Sequence, residues 1–244
     1  MTPPDGLVTR LRRGFPRALI PCVALGAALF GLLYAVVLPH PIGKLDLGHA
    51  RAIVARQWLV PVIAIHVVLV MSGLIRPWLR ERPARAAVTG LKALPAIWVH
   101  VVAAQILVVL GLVAGVVPGV LALGPAAVIA AAVADGARGR AAFAAAADGV
   151  RPRRLPIAAL VAGMIAVELA LTWITWKSLV PILTKKSSGA VLLTTTRFAY
   201  INAIRTAITA PLVATLFAAL YPSAQPQPDS AARTAPASAH AATS

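Results

Sequence analysis

Long apolar runs and short basic blocks alternate along the chain. The longest run, residues 94–136, reads LPAIWVHVVAAQILVVLGLVAGVVPGVLALGPAAVIAAAVADG and carries no charge before Asp135. About 20 helical residues span a bilayer core, so this run is about twice the length of one crossing and has to cross twice. Turn chemistry inside it is confined to Val117-Pro118-Gly119. Pro118 lacks a backbone donor and Gly119 tolerates positive φ, which predicts a tight membrane hairpin at Pro118 and Gly119 between a third span, 94–116, and a fourth, 120–134. The fourth has about 15 residues, or roughly 22 Å of helical rise, and is expected to begin below the membrane surface. Gly111, Gly115 and Gly119 recur every fourth residue, which puts small residues on one helix face and permits close backbone approach.

Four further apolar runs predict four further spans. The first, 18–37, follows Arg10, Arg12, Arg13 and Arg17; it is longer than a signal-peptide core and no small-residue cleavage pattern follows it, so an uncleaved span is expected. The second, 58–75, opens on Trp58, an aromatic suited to the membrane interface. The fifth and sixth cover 157–176 and 199–221. Residues 84–94 and 141–147 have the composition of short helices lying at the interface. The connection 177–198 has mixed polarity and yields no local assignment. The fold class is therefore an all-α polytopic membrane helical bundle of about six transmembrane helices with two short interfacial helices. Its domains are a basic N-terminus (1–17), the bundle (18–221) and a Pro-, Ala- and Ser-rich disordered tail (222–244).

Composition agrees with lipid as the main solvent: 59% of the 244 residues are apolar and 12% charged, and the mean hydropathy is +0.84, whereas soluble domains carry about a quarter charged residues. The formal charge of +16 arises from 23 Lys and Arg against 7 Asp and Glu. Because the basic residues flank the apolar runs, they suit topology and anionic headgroups, and no nucleic acid partner is expected. Placing both termini in the cytoplasm puts about twice as many basic residues inside as outside, which predicts a bacterial inner-membrane protein in that orientation. Headgroup contact is assigned to Arg80, Arg82, Arg85, Arg138, Arg140, Arg153 and Arg154. Cys22 is the single cysteine, so no disulfide within one chain and no cysteine-based metal site can form.

Within the spans, Glu168 stands out, because a charge in lipid costs several kcal/mol, of order 3 or more, unless paired or protonated. Arg205 in the sixth span lies about equally far from the outer end and is its expected partner. His66, Gln105 and Asn202 fall in a similar layer, with His100 nearer the cytoplasmic side. Such a layer has two readings: a proton-linked or anion-binding site, or a structural ion pair that fixes helix register. His66 and His100 are more simply helix-packing residues, since no H-x-x-x-H or H-E-x-x-H spacing occurs. No phosphate-binding loop, G-x-S-x-G turn or close pair of intramembrane Asp residues occurs, so neither catalysis nor a metal or other cofactor is expected.

The run ending in Val117, Pro118 and Gly119, the return span ending in Asp135 and Gly136, and the final Ala210, Pro211 and Leu212 with Leu220 and Tyr221 resemble the bacterial membrane family named after the membrane region of glycerophosphodiester phosphodiesterases. The sequence departs from that family in its Ala-rich interfacial helix and in the Pro-Ser that follows Tyr221. The resemblance implies a six-span fold. No phosphodiesterase domain is expected here, so it implies no such activity. The function expected is that of a non-catalytic accessory or organising membrane component that binds anionic lipid or a membrane-protein partner. Alternatives are transport of a small solute or ion through the Glu168 and Arg205 layer and, third, an intramembrane lipid-modifying enzyme.

Overall fold

A backbone in hydrocarbon must satisfy its polar groups internally, and a helix does so within one segment. The computed structural model describes residues 7–36, 55–56, 59–183 and 188–222, with side chains left undescribed at 7–13, 175–176, 178–183 and 188–196, and its regular structure is helical throughout. The helices are α1 (Leu7–Val36), α2 (Leu59–Ile75, continued by the 3-10 turn Arg76–Leu79), α3 (Pro83–Ala114), α4 (Val116–Ala134), α5 (Gly139–Val150), α6 (Arg154–Leu183) and α7 (Ser188–Leu220). Six helical stretches, all but α5 taken alone, are long and apolar enough to cross a membrane. The chain is a multi-pass membrane protein.

The six divide into an inner and an outer set. In their most apolar windows α2, α4 and α7 are 56, 61 and 50% buried within the protein, whereas α1, α3 and the stretch containing α6 are 28, 17 and 22% buried. Lipid tails are as apolar as Leu, so helices associate through close contact of small residues rather than by escaping the solvent. Residues 126–133 of α4, AAVIAAAV, accordingly sit at 0–7% exposure among their neighbours. At Gly73 of α2 an added Cβ would lie 2.9 Å from the Ala130 carbonyl oxygen and 2.8 Å from Ile97, so three helices meet where no side chain fits.

Several boundaries differ from those the sequence predicts. The membrane hairpin breaks at Gly115, the single non-helical residue between α3 and α4, while Pro118 and Gly119 belong to the first turn of α4. A proline is tolerated there because the first four N–H groups of a helix have no intrahelical acceptor. Gly119 instead serves the contact between the limbs: a Cβ on it would lie 2.4 Å from Leu112 Cγ, and one on Gly111 would lie 3.0 Å from Gly119 Cα. Residues 84–94 are the opening turns of the continuous α3 rather than a separate interfacial helix. Arg10 to Arg17 lie within α1, not before it. The second short helix is present as α5, whose Ala142, Ala146 and Val150 form a buried stripe four residues apart that packs on α4. The unassigned connection is largely helical, with α6 running to Leu183 and α7 starting at Ser188. Trp58, the 222–244 tail beyond Pro222 and most of 38–56 lie outside the described residues.

Two prolines inside spans each leave a carbonyl without its helical donor, and a neighbouring helix packs on each such carbonyl. Pro125 supplies no N–H to the Leu121 carbonyl one turn earlier, and Arg154 Nε donates to that carbonyl at 3.1 Å. Pro211 leaves the Ala207 carbonyl without its helical donor, and Gly26 of α1 packs against it so closely that a Cβ would lie 2.6 Å from the oxygen. Both accommodations tie a helix to its neighbour.

Candidate functional site

At one end of the bundle the C-termini of α2, α4 and α7 converge. Each helix C-terminus carries a partial negative charge and unsatisfied carbonyls, so a cation is favoured there. Arg76, the residue that follows α2, fills this place and is 2% exposed. Its Nη1 donates to the Ala218 and Tyr221 carbonyls at 2.7 and 2.9 Å, and its Nη2 to the Pro222 carbonyl at 3.1 Å and to Asp135 Oδ2 at 2.8 Å. Nε donates to Asp135 Oδ1 at 3.2 Å, which brings every N–H of the guanidinium into use. Arg80 Nη1 adds a second bridge to Asp135 at 2.7 Å, and the Tyr221 ring lies 5.2 Å from the guanidinium carbon of Arg76. Burial, and then the Asp135 charge, push the Tyr221 phenol above its ordinary range, with Arg76 and Arg80 partly opposing them. The sequence pattern alone assigns Arg76 no role. Its position directly after an apolar run and before Pro77 is an ordinary span-end signal, and nothing local shows that three helix ends meet on it.

The expected pairing of Glu168 with Arg205 is present and bidentate: Nη1 donates to Oε1 at 3.1 Å and Nη2 to Oε2 at 2.7 Å, joining α6 to α7. Nη2 also donates to Asn202 Oδ1 at 2.8 Å on the same helix. His66 and Gln105 form a separate pair between α2 and α3, with Nδ1 and Oε1 2.9 Å apart and the imidazole edge-on to Trp98. With Oε1 as acceptor, His66 Nδ1 carries the proton. His100 does not join the layer; its Nδ1 bonds the Ala96 carbonyl of its own helix at 2.7 Å, and its ring lies beside Phe143.

Glu168 and the His66–Gln105 pair face one space. Between α2, α3 and α6, floored by α4 and α7, runs a cavity of about 960 Å³ whose wall includes His66, Gln105, Glu168, Thr206 and Thr209. The remaining lining is apolar or glycine, from Val62 and Leu69 on α2 to Leu160 and Val167 on α6 and Phe217 on α7. Lining residues Val62, Val109 and Val167 are also more than half exposed on the bundle's outer surface, so the cavity opens sideways as a cleft. Its volume lies near the top of the roughly 300–1,000 Å³ usual for small-molecule sites. It exists because α6 lies along α4 and only lightly touches α2 and α7.

The seven arginines assigned to headgroups fall into two groups. Arg138 donates to the Val133 and Ala137 carbonyls at 2.6 and 2.8 Å and so caps α4, Arg154 serves Leu121, and Arg80 serves Asp135. The side chains of Arg82, Arg85, Arg140 and Arg153 are exposed, and no hydrogen bond or ion pair joins them to another described residue. Neither the family models, nor the curated proteins, nor the solved structures compared with this chain match it.

Proposed function

We propose that this protein is a non-catalytic component of the bacterial cytoplasmic membrane that takes a long-chain lipid into the lateral cleft, with both termini and the exposed Arg82, Arg85, Arg140 and Arg153 facing anionic headgroups on the cytoplasmic side. The cleft carries the reading: it is open towards the bilayer, lined almost wholly by apolar side chains, and ends on a few polar groups contributed by four different helices. That is the form of a site for an apolar body with one polar head. A polar solute or ion crossing here would meet an apolar wall for most of its path, so the same observation weighs against transport of such species. The likeness to the membrane region of glycerophosphodiester phosphodiesterases is kept as part of this reading, supported by the meeting of Asp135 and Tyr221, two of the residues that carry it, around Arg76.

The test uses the full-length chain in nanodiscs containing a phospholipid with a photoactivatable diazirine in its acyl chain, followed by peptide mapping. Adducts are expected on the buried cleft residues Leu69 and Phe217 as well as on outward residues such as Val23 and Val113. Labelling restricted to the outward residues would contradict the proposal.

A further inference from the structure

Resting on the cleft as a lipid site, we infer that it selects a lipid whose head is uncharged and carries a hydroxyl or carbonyl, the chemistry of a diacylglycerol or a long-chain alcohol, and that Thr206 is the residue that bonds that head.

Three observations lead there. Among the described residues, Glu168 is the one charged side chain on the wall, and its counter-charge Arg205 is not part of the lining. An anionic head entering the cleft would meet the carboxylate first and would lose its hydration with no cation presented to it. A cationic head fares little better, because the Glu168 charge is already balanced by Arg205 and a second cation would enter an apolar cleft with no counter-charge of its own. The buried side chain on the wall that has no partner is uncharged. Thr206 is 1% exposed, lines the cleft, and its hydroxyl has no partner. A buried hydroxyl without a partner is costly, and a turn of the Thr206 side chain that brings the oxygen to the cleft would let a ligand hydroxyl or carbonyl satisfy it. Thr172 on α6 is an internal contrast: its hydroxyl is as buried and as unpartnered, but Thr172 is not part of the cleft wall.

The experiment measures displacement of a fluorescent diacylglycerol from the purified full-length protein by three competitors with matched acyl chains: diacylglycerol, phosphatidylglycerol and a long-chain amine. Diacylglycerol should compete best. Thr206→Val should weaken it about threefold to tenfold, Thr206→Ser should restore it, and Thr172→Val should leave it unchanged. Glu168→Gln should remove the discrimination against phosphatidylglycerol. A wild-type preference for phosphatidylglycerol or for the amine would overturn the head-group assignment while leaving lipid binding intact. An equal loss in Thr206→Val and Thr172→Val would overturn the role of Thr206. Absence of any saturable binding of the fluorescent lipid, with diazirine labelling confined to the outward faces, would remove the cleft reading itself.

Discussion

Arg76 and Arg205 are both guanidiniums that hold a carboxylate from another helix, and both lie in a chain poor in charge. Their surroundings differ. Arg76 is 2% exposed, all its donors are engaged, and its partners are the ends of α4 and α7. Arg205 and Glu168 are 28 and 21% exposed, and Glu168 stands on the wall of an open cleft. The same ion-pair chemistry closes the bundle at one place and lines a binding space at the other. What separates the roles is the volume beside the pair, since a fully packed pair has no atom left to offer a ligand.

If that comparison is right, the two pairs respond unequally to mutation. Arg76→Met strips the cation from Asp135 and uncaps α7, and should cost about 3–5 kcal/mol of stability, read as a large fall in thermal unfolding temperature in detergent. Arg205→Met should cost less, about 3 kcal/mol, because beyond its carboxylate it gives up only the bond to Asn202, whereas Arg76 also holds three carbonyls at the end of α7. Equal losses would break the comparison. Arg154→Met should cost about 1 kcal/mol in the native background and close to nothing in Pro125→Ala, where the helix regains its own donor to Leu121. An unchanged cost in the double variant would show that Arg154 acts otherwise. The smallest effect is on pH. The folded state holds the Tyr221 proton above the phenol's ordinary value near 10, so stability from this group is complete below that pH and is lost as pH rises through the folded value. Tyr221→Phe should therefore flatten the alkaline decline in melting temperature slightly.

Helical type and the number of spans were legible because hydrophobic runs of known length admit few arrangements in a bilayer. The Glu168–Arg205 pairing was legible for the same reason: two isolated opposite charges at similar depth have strong cause to meet. The hairpin break was misplaced by three to four residues, since Pro118 reads equally as a turn and as a first-turn helix residue. The function of the glycines was clearer than their geometry, because close approach depends on which neighbour arrives: Gly119 meets Leu112 of its own hairpin, whereas Gly26 meets Ala207 of a helix far along the chain. The Arg76 node and the cleft were hidden altogether. One depends on three helix ends converging, the other on how far α6 leans from α2 and α7, and neither leaves a periodic trace in the residues that form it.

The account depends on the cleft being occupied from the bilayer, and Gly163 allows this to be tested without touching a polar residue. It lines the cleft, and a Cβ added there meets nothing within 4 Å. Glycine inside a helix also costs about 1 kcal/mol relative to alanine, so substitution should not weaken the fold. Native mass spectrometry of the full-length protein released from lipid should show bound lipid on the wild type. Gly163→Trp, with an unchanged melting temperature, should have lost it. Equal lipid retention by a stably folded Gly163→Trp would contradict the account.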